Sequence, residues 1–185
     1  MVVRLDIQTI EEQELVVAFF DLTGFLRFSR AHTAVEVFSW LDSYYEFVGD
    51  LVSEAGGRVV KFMGDAGLLV YPAEGADGAV VNLFHLKNVG DRWLAEHEAS
   101  CRQIIKAHVG PVICGPLGTR TEKRFDVISE TVNTTAILSS HGIAITPTLF
   151  RRLGASSRKL FKKHTPPVRY IPVEESHQDE RGVGR

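Results

Sequence analysis

Two runs of apolar residues each carry a single aspartate at one end, and this pattern constrains the fold more than any other feature of the chain. The run VVAFF at residues 16–20 leads directly into Asp21, and the runs RVVKFM and AGLLVY flank Gly64 and Asp65. Runs rich in β-branched and aromatic residues with almost no charge predict buried strands. A carboxylate at the end of a buried strand needs hydrogen bonds or a cation to compensate its charge.

Each aspartate has two explanations. Asp21 stands just before Thr23 and Gly24, and Asp65 follows Gly64, so both could simply be turn residues. Alternatively, both could hold a divalent metal. One or two carboxylates, with substrate phosphates completing the coordination, suit Mg²⁺ or Mn²⁺ in phosphoryl chemistry. The metal explanation points towards an enzyme that acts on nucleotides.

Composition limits the possible classes of protein. A chain of 185 residues can bury a sizeable core as one domain. The formal charge of −2 gives no basic field, so we expect neither a nucleic-acid partner nor an anionic membrane surface. Cys101 and Cys114 are too few for a disulfide framework or a zinc site, and no stretch approaches eighteen apolar residues. We therefore expect a soluble, cytoplasmic protein without a membrane segment.

The chain divides into three parts and follows an α+β pattern. We predict an N-terminal extension over 1–13, a domain over 14–173 and a disordered tail over 174–185. Helical and alternating periods predict long helices covering one face of a mostly antiparallel sheet. The predicted elements are a strand over 15–21, a helix with its apolar face from Ala34 to Val52, a hairpin of strands 58–63 and 67–71, and a helix over 76–96.

The second half of the chain continues the same pattern. A long strand over 104–114 is expected to be interrupted by a bulge or an edge near Gly110-Pro111. Ser129 is a candidate helix N-cap. The remaining predicted elements are a strand over 125–128, a helix from Ser129 to about Ser139, a strand over 143–145, a helix from Pro147, and strands near 158–161 and 168–173.

Four segments in this order resemble the catalytic domain of class III nucleotidyl cyclases, the adenylate and guanylate cyclase homology domain. The resemblance covers most of residues 14–173. It rests on residues 20–25 (FDLTGF), 56–65 (GGRVVKFMGD), 108–115 (HVGPVICG) and 125–133 (FDVISETVN). Each segment alone would be a weak match, and their order and spacing give the resemblance its weight.

The resemblance implies a fold, an assembly and a reaction. It implies a ferredoxin-like core and a head-to-tail homodimer with two nucleotide sites in the interface. It also implies two Mg²⁺ or Mn²⁺ ions held by Asp21, Asp65 and the backbone carbonyl of Leu22. The implied reaction converts a nucleoside triphosphate, ATP first, to the 3′,5′-cyclic monophosphate and pyrophosphate.

The resemblance also assigns the residues that bind substrate. Lys61 and Asp126 match the positions that read the purine, and a donor with an acceptor suits adenine. Similar cyclases that use GTP tend to carry glutamate and a small residue or cysteine there. Asn133 matches the asparagine that orients the ribose, and Lys162 matches a lysine on the terminal phosphates, with Lys163 as an alternative. Without the resemblance, Lys61 would be an edge lysine and Asp126 a turn cap.

One position departs from the family. Where the family has an arginine four residues after the asparagine, this chain has Ile137. An isoleucine can neither carry charge nor donate a hydrogen bond to the transition state. Three alternatives follow: a working adenylate cyclase that uses another cation such as Arg120, Arg124 or Arg151, a cyclase with preference for GTP or a pyrimidine triphosphate, or a nucleotide-binding dimer module without activity.

Other enzyme classes lack their motifs. The sequence contains no phosphate-binding loop of the Gly-x-x-x-x-Gly-Lys type, no His-Glu-x-x-His pair and no Gly-x-Ser-x-Gly segment. The seven histidines are scattered, and His108 is interpreted as a packed strand residue with a hydrogen-bond partner.

Overall fold

The first strand lies inside the sheet, with a paired strand on each side. In this computed structural model, which describes residues 9–175, β1 (Glu11–Thr23) lies between β3 (Ala66–Pro72) and β4 (Arg102–Gly118) and is antiparallel to both. Its pairing with β4 runs without a shift from Glu11 opposite Cys114 to Thr23 opposite Arg102. Residues 15–18 of β1 are fully buried, which explains why this run carries no charge.

The remaining elements complete one mixed sheet with helices on it. The strand order is β2-β3-β1-β4-β6-β8-β7, with β5 also paired to β4, and only β4 and β6 run parallel. The order of the first four strands, with helices connecting β1 to β2 and β3 to β4, is the ferredoxin-like arrangement, so the predicted fold class is confirmed. The other strands are β2 (Arg58–Met63), β5 (Lys123–Ile128), β6 (Ile143–Ile145), β7 (Phe161–His164) and β8 (Arg169–Pro172). The helices are α1 (Phe25–Ala31), α2 (Ala34–Glu54), α3 (Ala76–Glu96), α4 (Glu130–Ile137), α5 (Pro147–Arg152) and α6 (Ala155–Arg158), with a short 3₁₀ turn at Ala73–Gly75.

Alternation along β1 divides the core into two faces. Val16, Ala18 and Phe20 pack in one cluster with residues of α1, α2, α3 and α5, on what we call the α1–α3 face. Leu15 and Val17 pack in a second cluster that includes Val132 of α4, on what we call the α4 face. The long helices α2 and α3 thus cover one face, as predicted, and the short helix α4 packs on the other.

Two helices follow β1. The predicted helix with its apolar face from Ala34 to Val52 is α2, and a separate helix, α1, precedes it and ends at Ala31. Thr33 and Glu36 form a capping box, in which the Glu36 backbone N–H donates to the Thr33 hydroxyl at 3.3 Å and the Thr33 backbone N–H donates to the Glu36 carboxylate at 2.7 Å. The Thr33 backbone N–H and hydroxyl both donate to the Glu36 carboxylate, which lowers the pKa of Glu36.

Near Gly110-Pro111 we predicted a bulge or an edge in β4. The register with β1 passes through both residues without a shift, so the bulge does not occur and the edge alternative applies. Pro111 lies between the stretches of β4 that pair with β6 and with β5, and its carbonyl accepts a hydrogen bond from the Thr131 hydroxyl at 2.8 Å. A proline costs no ladder hydrogen bond at a place where no strand pairs on that side.

The C-terminal strands also differ from the prediction. The expected strand at 158–161 is wrong, because Ala155–Arg158 form α6 and the strand runs from Phe161 to His164. The Arg158 guanidinium donates to the Arg151 carbonyl at 2.6 Å, which ties α6 back to α5. Helix α4 ends at Ile137, two residues before the predicted end.

Residues 176–185, most of the predicted tail, lie outside the described residues. Within residues 9–175 no helix is long and apolar enough to cross a bilayer.

Two glycines of α3 provide a matched test of the packing. Gly90 faces the fully buried Gln103, whose amide donates to the Tyr44 hydroxyl at 2.7 Å, and a Cβ at residue 90 would overlap that amide. Gly78 has open space around it. We expect Gly90→Ala to lower the free energy of unfolding by about 1–3 kcal/mol through overpacking. We expect Gly78→Ala to raise it by about 0.5–1 kcal/mol through helix propensity. Urea unfolding of both variants measures the difference, and equal effects would contradict the packing described.

Candidate active site

Asp21 lies near the end of β1, on the α4 face. Because residues alternate along a strand, Asp21 points to the same side as Phe19 and Val17, opposite to the buried Phe20. One carboxylate oxygen accepts a hydrogen bond from the Leu22 backbone N–H at 2.9 Å. The Leu22 side chain is buried on the α1–α3 face, so only its backbone could contribute to a binding site.

Asp65 forms the tip of the β2–β3 hairpin. Gly64 adopts a positive φ of 65°, which glycine reaches without strain, and the predicted turn at Gly64-Asp65 is confirmed. The Tyr45 hydroxyl donates to the Gly64 carbonyl at 2.5 Å, and the Tyr45 ring stacks on Phe62 with centroids 3.8 Å apart. Helix α2 therefore holds the hairpin tip in place.

The two aspartates converge at one end of the β1–β3 pair. Phe20 pairs with Gly67. Because the strands are antiparallel, Asp21, which follows Phe20, and Asp65, which precedes Gly67, lie at the same end of the pair. Burial raises the pKa of Asp65, and the nearby Asp21 carboxylate raises it further. Two like charges held close together favour a bound cation, which would offset both effects.

The donors present are compatible with Mg²⁺ or Mn²⁺. Two carboxylates and the backbone carbonyl of Leu22 are hard oxygen ligands of the kind these ions prefer. Within residues 9–175 no group of three or more His, Cys, Asp or Glu side chains could hold a metal alone. Substrate phosphates would therefore have to complete the coordination, which is how Mg²⁺ is commonly bound in nucleotide enzymes.

Lys61 and Asp126 are in direct contact. The Lys61 ammonium donates to Asp126 Oδ2 at 2.7 Å, across the gap between β2 and β5. The other carboxylate oxygen of Asp126 accepts from the Val127 backbone N–H at 2.8 Å. A cavity of about 580 Å³ adjoins the pair. Its other lining side chains include Phe62, Leu117, Glu122, Arg124 and Phe125.

Asn133 and Ile137 lie one turn apart on α4. Ser129 caps this helix as predicted, since its hydroxyl accepts from the Val132 backbone N–H at 3.2 Å. Asn133 is exposed, with its amide 3.4 Å from the Glu130 carboxylate. Ile137 is 84% exposed and therefore buries almost nothing within this chain.

The three arginines considered as replacements for a charge at residue 137 do not gather around it. Arg124 pairs with Glu122 at 2.6 Å, and both side chains are exposed. Arg151 lies on α5, which packs on the α1–α3 face through Leu149. Arg120 lies in the turn between β4 and β5.

Lys162 lies apart from the other predicted residues. It is on β7, the last strand in the sheet order, and its ammonium donates to the Val173 carbonyl at 3.0 Å. Lys61 lies within β2, opposite Leu68 of β3, whereas Asp65 lies in the turn beyond Met63. The structure thus brings together Asp21 with Asp65, and Lys61 with Asp126, and it does not gather the predicted residues into one cluster within the chain.

Two residues near the site were missed by sequence analysis. Tyr45 was counted only as part of an apolar helix face, and its hydroxyl partner on the hairpin tip is a tertiary contact. Lys106 is the second, and its ammonium donates to the Ala136 carbonyl at the end of α4, at 3.0 Å. A single lysine within an otherwise apolar strand could have marked this position.

His108 and the two cysteines are packed within the fold. His108 Nδ1 lies 2.7 Å from the Thr146 hydroxyl, and burial lowers the pKa of this histidine, as a packed strand residue requires. Cys101 and Cys114 are both buried and free. Burial raises the pKa of Cys114 to about 11, so this thiol is protonated at neutral pH.

Comparison with known proteins agrees with the fold. The sequence profile described as the adenylate and guanylate cyclase catalytic domain matches residues 7–164. The chain therefore belongs to this family, the class III nucleotidyl cyclase catalytic domains, and the resemblance stated from the motifs is confirmed.

Relatives of known sequence are longer than the matched region. An uncharacterised protein of Mycobacterium bovis is 31% identical over 133 residues, which cover 69% of this chain and 23% of that protein. An adenylate cyclase of Anabaena cylindrica is 23% identical over 138 residues, covering 70% of this chain and 28% of the relative. The chain thus matches only about a quarter of the length of these relatives.

Solved structures with the same fold include cyclases named for either purine. A bacterial light-regulated adenylyl cyclase superposes with a TM-score of 0.77 at 20% identity, covering 93% of this chain and 55% of that one. The guanylyl cyclase Cya2 superposes with a TM-score of 0.70 at 20% identity, covering 91% of this chain and 98% of that one. At this level of identity the likeness establishes the fold, and both substrates are represented.

The raised pKa of Asp65 predicts an effect on stability. A carboxyl whose pKa is raised in the folded state loses stability as pH rises from its unfolded pKa to its folded pKa, because the unfolded chain has already released the proton that the folded state still holds, and the full cost is present above the folded pKa. We expect Asp65→Asn to raise the melting temperature of the metal-free protein at pH 7.5 by up to a few degrees. We also expect Mn²⁺ to raise the melting temperature of the wild type and not of the variant.

The exposed Asp42 of α2 provides the control. Asp42→Asn should keep the full response to Mn²⁺. An equal response of Asp65→Asn and wild type to Mn²⁺ would show that Asp65 does not bind the ion.

Proposed function

We propose that this chain is a nucleotidyl cyclase domain that converts ATP to 3′,5′-cyclic AMP and pyrophosphate. The observation that carries the proposal is the convergence of Asp21 and Asp65 at one end of the central strand pair, with burial and mutual repulsion raising the pKa of Asp65. Such a pair is suited to gathering divalent cations beside a polyphosphate. Membership of the cyclase family supports the reaction class.

The reaction is an in-line displacement within one molecule. The ribose 3′-oxygen forms a bond to the α-phosphorus, the bond from that phosphorus to the bridging oxygen breaks, and the electron pair leaves with pyrophosphate. Divalent ions bound at Asp21, Asp65 and the Leu22 carbonyl would lower the pKa of the 3′-hydroxyl and neutralise phosphate charge. Asp65 must be ionised for this role, so its raised pKa predicts that metal affinity falls as pH decreases towards that pKa.

The remaining residues would position the substrate. Asn133 can hydrogen-bond the ribose and hold it near its reactive geometry. Lys162 would approach the terminal phosphates. Lys61 can donate to a ring nitrogen of adenine and Asp126 can accept from its amino group, and their 2.7 Å contact shows that both reach the same point beside the cavity.

The separation of these groups favours a site shared between two copies. Asp21 and Asp65 lie at one end of the β1–β3 pair. Lys61 and Asp126 lie on β2 and β5, and the exposed Asn133 lies on α4. Two copies in head-to-tail contact would place the aspartates of one against Asn133 of the other. This symmetric arrangement forms two equivalent sites.

The exposed Ile137 favours a second candidate function. An uncharged side chain at the end of the ribose-binding helix, 84% exposed, would weaken stabilisation of phosphate charge. In this alternative the chain binds nucleotide and pairs with a second copy, with little or no turnover.

Incubation with each nucleoside triphosphate tests the reaction and its base preference. With Mn²⁺ we expect cyclic AMP from ATP at a higher kcat/KM than any other cyclic product, because the Lys61–Asp126 pair matches adenine. The combined change Lys61→Glu and Asp126→Cys should shift preference towards GTP, measured as the ratio of the two kcat/KM values. No cyclic product from any triphosphate at high enzyme concentration would favour the binding module, and an unchanged ratio would reject the base-reading pair.

Mixing inactive variants tests the shared site. Asp65→Ala and Asn133→Ala should each lose activity alone, since each removes one component from both sites of a homodimer. Mixing the two chains should restore up to one intact site per heterodimer, so that up to about a quarter of the wild-type activity returns at equal concentrations if dimers exchange randomly. Activity that stays at the level of the separate variants would contradict a site formed between copies.

A further inference from the structure

Lys106 has an unusual place in the sheet. It lies within β4 in the run IIKAHV, between Ile105 and Ala107, which are both fully buried on the α1–α3 face. Alternation turns Lys106 to the opposite side, and its partner across the strand pair is Phe19, which packs in the cluster of the α4 face. The lysine is thus on the face that carries Asp21 and α4.

The ammonium of Lys106 reaches the last turn of α4. It donates to the Ala136 carbonyl at 3.0 Å, immediately before the exposed Ile137. Asn133 lies one turn earlier on the same helix, about 5 Å along its axis. A positive charge therefore lies at the end of the helix that carries the proposed ribose contact, at the point where residue 137 itself contributes none.

Two other cations near this face have acidic partners. Lys61 is paired with Asp126 at 2.7 Å and Arg124 with Glu122 at 2.6 Å. The partner of Lys106 is a neutral carbonyl at an exposed position. A phosphate oxygen is a stronger acceptor for an ammonium than a neutral carbonyl, so this hydrogen bond can be exchanged when a nucleotide binds.

We infer that Lys106 contacts the triphosphate of the nucleotide whose ribose is held by Asn133 of the same chain, and stabilises the charge that develops on it. The inference rests on the proposed cyclase function and deepens it. The α-phosphate is joined to the ribose through one carbon and one oxygen, so a ribose at Asn133 brings that phosphate within reach of an ammonium one helical turn away. Lys106 would thus supply the charge that Ile137 lacks.

A purely structural role for Lys106 makes a different prediction. A lysine that donates to the last carbonyl groups of a helix stabilises that helix through the hydrogen bond and the helix dipole. Lys106→Gln retains a hydrogen-bond donor and removes the charge. A role limited to stabilising α4 would change thermal stability with little effect on catalysis, whereas a phosphate contact would change catalysis with little effect on stability.

Lys123 provides a matched control. Its ammonium also donates to a single backbone carbonyl, that of Gly118, at 3.1 Å, and this residue is not assigned to the site. We expect Lys106→Gln to lower kcat/KM for ATP by about 10²–10³-fold, mainly through kcat, as loss of one transition-state donor commonly does. Lys123→Gln should stay within about twofold of wild type. Pyrophosphate binding, measured by calorimetry with Mn²⁺, should weaken for Lys106→Gln only.

A compensating change separates charge from local damage. Introducing Ile137→Arg into the Lys106→Gln chain places a cation at the end of the same helix turn. We expect kcat/KM of the double variant to be at least tenfold higher than that of Lys106→Gln alone. A Lys106→Gln chain with wild-type kinetics and wild-type pyrophosphate affinity would overturn the inference, as would a loss of activity that follows a loss of thermal stability and is not recovered by Ile137→Arg.

Mixed dimers identify the half of the site to which Lys106 belongs. If it acts with Asn133, mixing Lys106→Gln with Asp65→Ala should restore one complete site, and mixing Lys106→Gln with Asn133→Ala should restore none. The reverse pattern would place the lysine with the metal-binding aspartates and overturn the assignment. Wild-type chain that forms no cyclic product would refute the proposed function itself, whereas an active wild type with an unaffected Lys106→Gln variant would refute this inference alone.

Discussion

The burial of β1 on both faces is the constraint on which the rest of the structure depends. Residues 15–18 are fully excluded from solvent, and the strand is paired with β4 along its whole length and with β3 from Leu15 to Phe20. A strand in this position cannot carry a charge until it approaches an end of the sheet. Asp21 is therefore the first acidic residue after Glu14, and its position is a consequence of where β1 emerges from the core.

The two-residue period of β1 then decides which groups can meet. The face towards α1, α2 and α3 contains a continuous apolar cluster, and its polar contacts include the hydrogen bonds between Gln103 and Tyr44 and between Tyr71 and Asn82. Asp21 and Lys106 lie on the other face, together with Val132 of α4. The proposed chemistry belongs to this second side of the sheet, because helices close the opposite side.

The same division bears on the site proposed above. The hairpin that presents Asp65 also carries Lys61, but Lys61 lies within β2 opposite Leu68, whereas Asp65 lies in the turn, and Lys61 is engaged by Asp126. In the proposed dimer, a second copy in the opposite orientation would bring the aspartates of one chain to the proposed base-contacting residues of the other.

Much of this protein was determined by local sequence. The runs around Asp21 and Asp65, the Gly64 turn, the α3 period and the Ser129 cap each specify their elements through short-range physics, and each was predicted with small errors in length. Only the tertiary structure decided that α4 packs on the opposite face from α1–α3, that Pro111 continues a regular strand, and that Lys106 reaches Ala136. These features depend on contacts between residues 20 to more than 90 positions apart, and a local pattern of hydrophobicity or turn residues carries no information about which distant segment will be its neighbour.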